Sequence, residues 1–324
     1  MLTGLWRVAA AVALAVAVLP GRLTAAGAPK QIVIDWATYN PVSVVLKDKG
    51  LLEQEFAAEG IRIVWVQSAG SNKALEFLNA GSLDFGSTAG SAALVARING
   101  NPIKAIYVYS RPEWTALVTT KGSPITTVAD LKGKRVAVTR GTDPHIFLVR
   151  ALQGAGLGEK DITPVLLQHA DGKTALIRGD VDAWAGLDPM MAQAEIEDGA
   201  RLFFRQPDAN TFGILNIREQ FLGDHPDLAR RVLARYEEAR HYALDHRDEL
   251  KRAFIAVTHL PAVVVDKQLD ERTDLTVSRI GVPQRDSILA AGLALQQAGV
   301  IDGKVDVRAA LDSLIDDRVP LPAE

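Results

Sequence analysis

Residues 31–52 read QIVIDWATYNPVSVVLKDKGLL, and residues 134–157 read KRVAVTRGTDPHIFLVRALQGAGL. Each opens as an apolar strand that runs into a turn, carrying Asn40-Pro41 in one and Asp143-Pro144 in the other. An amphipathic helix follows and closes at Gly50 or Gly156. The correspondence continues downstream, where IRIVWVQSAGSNKALEFLNAGSLDFGSTAGS (61–91) is answered by ITPVLLQHADGKTALIRGDVDAWAGLDP (162–189). Gln67 and Gln168 end a second strand, helices enter near Lys73 and Lys173, and Asp84 and Asp182 sit on a third strand. Strands alternating with helices of this size read as βαβ units that build a parallel sheet. Two copies predict two α/β lobes of similar design. In such sheets ligands sit beyond the carboxyl ends of the strands, against the following helix starts. Two lobes with those ends facing inward would share one cleft.

The segment LVTTKGSPITTVADLKGKRVAV (117–138) joins the two copies, and RLFFRQPDANTFGILNI (201–217) reads as the return. Leu117–Thr119 reads as a strand leaving the first lobe, and Phe212–Ile217 as a strand crossing back. Two crossings make a hinge of the kind that closes around a ligand. The expected division is therefore 29–118 with 213–324 as the first lobe and 119–212 as the second. Beyond Ile217 the apolar residues Leu228, Val232, Leu233, Tyr236 and Ala239 recur at helical spacing. Further helices are expected around Glu249–Val257, Gln284–Ala298 and Arg308–Ile315.

Residues 1–28 read as a signal peptide. Arg7 precedes the uninterrupted apolar run Val8–Leu19, Pro20-Gly21 breaks it, and Ala26-Gly27-Ala28 fits a small-x-small cleavage pattern. Twelve apolar residues are too few to span a bilayer. Cleavage is expected after Ala28 or Ala26, delivering the chain to the periplasm. Losing Arg7 and Arg22 with that segment takes the formal net charge from −3 to −5. No run of Lys and Arg stands out, so nucleic acid is not an expected partner. The chain has no cysteine, which excludes disulfides, thiol catalysis, thiolate metal sites and a lipidated N-terminal cysteine.

PITTVADLKGKRVAV (124–138), GTDPHIFLVRAL (141–152), GDVDAWAGLDPMMAQAE (179–195) and GSLDFGSTAGS (81–91) together resemble the aliphatic sulfonate, taurine and nitrate branch of periplasmic solute-binding proteins. The resemblance extends over nearly the whole mature chain, including RTDLTVSRIGVPQRDSILAAGLALQQAGVI (272–301). It implies a two-lobed periplasmic-binding-protein-like fold that closes on a hinge. It also implies no catalysis and no cofactor, with delivery of a small organic anion to the membrane permease of an ABC importer by a monomer.

A sulfonate stays ionised at neutral pH and offers only acceptors, so it calls for N–H and O–H donors at helix starts. In the first lobe Tyr39, Asn40, Ser68, Gly70, Ser71, Ser87, Thr88 and Ser91 meet that description. In the second lobe Thr142, Asp143, His145 and His169 lie at helix starts, with Trp184 and Asp188 after the third strand. Trp184 either lies against an apolar tail or packs the core. Asp188 either accepts from a ligand amine or fixes a loop. Arg111 and Arg140 either supply a full positive charge or stay on the surface, and Trp114 walls the cleft or packs the hinge. A metal site is not expected, since nothing completes a ligand set around His145 and His169. Nitrate, a thiamine-pyrimidine precursor and an aromatic carboxylate are alternative solutes. An enzyme on the same fold is the rival from another class. No G-x-S-x-G elbow, phosphate loop or convincing carboxylate pair supports it.

Overall fold

The computed structural model describes residues 27–319. Apart from Gly27 and Ala28, the expected signal segment lies outside them. Along the chain come β1 (Gln31–Trp36), α1 (Pro41–Asp48), α2 (Leu51–Phe56), β2 (Arg62–Gln67), α3 (Ser71–Asn79), β3 (Phe85–Ala89), α4 (Gly90–Ile98) and β4 (Ile103–Pro112). Next are β5 (Leu117–Thr119), β6 (Arg135–Val138), α5 (Asp143–Gly154), β7 (Thr163–Leu166), α6 (His169–Arg178), β8 (Ala183–Ala185), α7 (Met190–Glu197) and β9 (Arg201–Phe204). The chain returns through β10 (Gly213–Arg218), α8 (Glu219–Asp224), α9 (Pro226–Asp245), α10 (Arg247–Thr258) and α11 (Ala262–Asp266). It ends with β11 (Thr273–Asp274), α12 (Val282–Gln297) and α13 (Val307–Leu314).

These strands form two sheets, ordered β11-β4-β10-β3-β1-β2 and β7-β6-β8-β5-β9. The internal echo of the sequence becomes a structural one. In each sheet three parallel strands stand in the same relative order, β2-β1-β3 and β7-β6-β8. In each, the fourth place is taken by an antiparallel strand from a crossing connection, β10 in one and β5 in the other. Each such strand then pairs antiparallel with a fifth strand, β4 or β9, and in the first sheet the short β11 pairs beyond β4. This places Leu117–Thr119 in the second sheet between β8 and β9. The expectation that it leaves the first lobe is corrected: the first crossing falls between Pro112 and Leu117. Three residues of edge-poor, fully buried strand carry no local mark of which sheet will pair with them.

Local chemistry explains the entries. Asn40 caps α1 by accepting from Ser43 N at 3.1 Å, and Pro41 in the first turn needs no donor of its own. Pro144 plays the same part in α5, and Pro226 in α9. The long α9 buries Leu228, Val232, Leu233, Tyr236 and Ala239 as one stripe and lies along α1.

The lobes are closed on one another. Ile146, Val149 and Leu187 of the second lobe join the core of the first. Gln153 on α5 donates to the carbonyl of Ala294 on α12 at 3.1 Å. Charged and polar ties reinforce this contact at the seam.

Candidate functional site

Six helices follow the carboxyl ends of parallel strands, and four of them concern the seam: α3 after β2, α4 after β3, α5 after β6 and α6 after β7. None has a side-chain hydrogen bond from its N-cap residue, which is Gly70, Ala89, Thr142 and Gln168 in turn. Two belong to each lobe, and they meet. A Cβ on Gly70 would stand 3.0 Å from His169 Nε2, joining α3 to α6. Ser91 Oγ donates to Asp143 Oδ1 at 2.5 Å, joining α4 to α5. A Cβ on Gly141 would lie 3.7 Å from Asn72 Cβ, joining the entry of α5 to α3, and φ there is +78°, which favours glycine. Helix starts carry partial positive charge and amide donors, so four of them at one seam make a field that favours an anion, although in α4 the Gly90 and Ser91 amides already donate to the Phe212 carbonyl and to Thr211 Oγ1.

At the hinge end of the seam stands Asp143. Its Oδ1 accepts from Ser91 Oγ and from Thr211 Oγ1 (2.8 Å), and its Oδ2 from Trp114 Nε1 (2.8 Å) and Thr211 N (3.0 Å). Trp114 and Thr211 sit on the two crossings, so one carboxylate ties both crossings and both lobes together. Burial pushes its pKa up, against the pull of these four bonds. Trp114 packs edge-on to Tyr39, with centroids 6.1 Å apart, and so packs the hinge.

The first lobe's hydroxyls turn inward instead of toward the seam. Ser87 Oγ donates to Asp35 Oδ1 at 2.8 Å and accepts from Asn40 Nδ2 at 2.8 Å. Tyr39 donates to the carbonyl of Ser87, and Thr88 Oγ1 accepts from Asn216 Nδ2 at 2.7 Å. Ser71 Oγ accepts from Ala89 N at 3.0 Å, and Thr142 Oγ1 donates to the carbonyl of Thr139 at 2.6 Å. Tyr39, Asn40, Ser87 and Thr142 therefore spend donors within the fold, whereas Ser71 and Thr88 are held there as acceptors. Their abundance satisfies a buried acid: Asp35 is fully buried, and burial raises its pKa to about 6 despite its bonds from Ser87. Asp35 itself was missed, although a lone acid inside the apolar run QIVIDW is a signal.

Fourteen buried side-chain polar atoms among the described residues lack partners, and two of them, Asn72 Oδ1 and His169 Nε2, meet across the seam. Ser68 Oγ beside Asp35 and Tyr39, Asn72 Oδ1, Gln168 Oε1, His169 Nε2 and Trp184 Nε1 are all buried and unbonded. Such atoms are rare in native interiors and point to a missing partner. Trp184 lies in the core of the second lobe, with its indole N–H 2.7 Å from where a Gly172 Cβ would stand. Its ring packs the core and lies along no cleft wall.

Of the remaining candidates, Arg140 and His145 line a pocket between the lobes, and the others lie elsewhere. Arg111 pairs with Asp208 at 3.2 Å, and Arg140 is 3.8 Å from Glu159; both side chains are more than half exposed. His145 Nε2 is bonded to Glu159 at 3.0 Å. Asp188 receives Arg272 on both oxygens at 3.3 Å, and Arg272 also holds Glu195. Arg272 belongs to the first lobe and both acids to the second, so this buried set is a second tie across the seam. Burial still raises the pKa of Asp188 to about 6. Among the described residues no group of three His, Cys, Asp or Glu could hold a metal. Beside Asn72 and Gly141 a pocket of about 380 Å³ opens between the lobes, lined among others by Leu75, Val95, Ile146 and Leu295.

Residues 47–250 match the family model described as NMT1/THI5 like. The chain belongs to this family. It is 30% identical over 288 residues to an Escherichia coli protein named as a putative aliphatic sulfonates-binding protein, covering 88% of this chain and 90% of that one. Two solved structures superpose on it. The alkanesulfonate-binding protein SsuA of Xanthomonas axonopodis pv. citri bound to MOPS gives a TM-score of 0.80 at 27% identity, covering 90% of this chain and all of that one. The periplasmic aliphatic sulphonate binding protein SsuA of Escherichia coli gives 0.73 at 29%, covering 87% and 91%. The fold of this family member is thus the two-lobed periplasmic-binding-protein fold.

One consequence of burial can be read by pH. His169 is 1% exposed and desolvation lowers its pKa to about 3, against 6.5 when free. The unfolded chain takes up this proton below pH 6.5 and the folded chain resists until about 3, so stability falls across that window as pH drops. Between pH 7 and 4.5 the wild type is expected to lose about 2–3 kcal/mol more than His169→Gln. Urea titrations of both proteins at the two pH values check this; parallel losses would place His169 in contact with water.

Proposed function

We propose that this protein is the solute-capturing component of an ABC importer for alkanesulfonates, acting in the periplasm after removal of residues 1–28. The observation that carries the reading is the meeting of four helix starts without side-chain caps, two from each lobe. A sulfonate needs donors and positive potential from several sides, and this seam supplies both, with Arg140 lining the pocket beside it. The names of the relatives support the same solute class. The apolar pocket beside Asn72 suits an alkyl tail. Binding favours the closed form because only there does the solute touch both lobes. The task is capture and release without turnover, performed by a monomer that docks on its permease.

Thermal unfolding of protein stripped of carried-over ligand and refolded tests the solute class. Alkanesulfonates at a hundred times Kd are expected to stabilise by about 2.7 kcal/mol, a rise of about 5–10 °C in Tm. Sulfate, nitrate and a thiamine pyrimidine serve as the other arms. A shift with one of these and none with sulfonates would overturn the assignment.

A further inference from the structure

We infer that Arg272 is a positioning residue for solute capture: its guanidinium grips two carboxylates of the second lobe, and this grip sets the closure on which affinity depends. The inference rests on the reading of the protein as a receptor that closes on its solute, whichever solute that is.

Arg272 is fixed in the first lobe. Its carbonyl accepts from Glu113 N at 2.8 Å, and Thr273 beside it pairs in β11 with Pro112 of β4. Gln268, four residues earlier, donates to the carbonyl of Thr38 at 3.0 Å. From this anchorage Arg272 Nη1 donates to both oxygens of Asp188 at 3.3 Å, and Nη2 donates to Glu195 Oε2. The side chains of Arg272 and Asp188 are 2% and 1% exposed, and that of Glu195 is 20% exposed. Arg205, whose charge also reaches Glu195, is itself held by Glu113 at 2.7 and 2.8 Å, so Glu195 depends on Arg272 for its ion pair.

A buried ion pair contributes little stability over apolar residues of the same volume, and its best-attested use is to fix register. Here the register is that of one lobe on the other. Asp188 stands near the pivot, because its N–H donates to the carbonyl of Trp114 on the first crossing at 2.9 Å. Glu195 lies further along α7, about 10 Å away by helix rise. Rotation about the crossings therefore draws Glu195 off Arg272 sooner than Asp188, and the double grip is a property of closed lobes. The grip acts away from the solute. Arg272 lines a separate cavity of about 280 Å³ with Pro112 and Glu113 of one crossing and Pro207 of the other, whereas other residues wall the pocket beside Asn72.

The chain has no cysteine, so Glu76→Cys and Arg178→Cys, exposed and on opposite lobes, take spin labels without background. The label-to-label distance then reads closure in stripped protein. Glu195→Gln keeps the shape and removes the charge. It is expected to reduce the short-distance component at least about threefold. Calorimetry and stopped flow are expected to show butanesulfonate held at least about fivefold more weakly, through faster dissociation. The unliganded Tm is expected to stay within about 2 °C. Arg272→Met is expected to act in the same direction and more strongly; if it fails to fold, Glu195→Gln decides alone. Equal short-distance components in wild type and Glu195→Gln, or an unchanged Kd with a lowered Tm, would make the tie a structural cross-link and overturn the inference. A wild type that ignores butanesulfonate overturns the sulfonate reading, and the label distances still judge the grip.

Discussion

Asp143→Ala is expected to lower the unfolding free energy by about 3 kcal/mol and Tm by about 6–12 °C. The substitution strips the partner from buried Trp114 Nε1 and Thr211 N, and leaves Thr211 Oγ1 and Ser91 Oγ only their 3.2 Å bond to each other. Each orphaned donor costs about 1–3 kcal/mol in a site water cannot reach. Against this stands relief of desolvation, since burial raises the pKa of Asp143. The bonds outnumber that one penalty, so the balance is a loss. Asp143→Asn is the control. It keeps one acceptor but turns an NH2 toward a donor, so it recovers only part of the loss. Chemical denaturation followed by circular dichroism reads both variants. A change under about 1 kcal/mol in the alanine variant would mean that the carboxylate costs as much as its bonds contribute, and that apolar packing holds the hinge.

Gly70→Val is expected to weaken solute binding at least a hundredfold while changing the stability of the unliganded protein by less than about 1 kcal/mol. Its backbone is extended, with φ at 160°, so a side chain costs no backbone strain. The cost arises across the seam. The first added carbon would stand 3.0 Å from His169 Nε2 and 3.2 Å from Cδ2, on a ring anchored by Thr139. Asn72, at 2.8 Å, can swing away; the ring of the opposite lobe cannot. The lobes must then part, and the closed form that binds solute becomes a minor state, which lowers apparent affinity in proportion. Calorimetry gives the affinity, and small-angle scattering with saturating solute gives the closure. Unchanged affinity with a compact scattering profile would place the solute away from α3 and α6.

The lobe design was legible in the chain because it is written in local terms. Strand and helix periods, the Asn40-Pro41 and Asp143-Pro144 entries and the recurring Gln and Asp landmarks depend on neighbours a few residues away. The two sheets repeat that order strand for strand. Residue type likewise brought Gly70 and His169 to notice, and the structure brings these two together across the seam. Partner choice was not legible. Ser87 and Thr88 read as donors for a ligand, but sheet pairing brings Asp35 to take the proton of Ser87 and Asn216 to donate to Thr88. Asp188 is held by Arg272, 84 positions along the chain, and nothing near either residue announces the pair. Trp184 carries the composition of a cleft wall, yet the approach of Gly172 places it in a core. Backbone periodicity is a property of short windows, so one sequence suffices to read it. Which buried polar atom meets which is set by the packing of whole elements, and at this seam by the closing of one lobe upon the other.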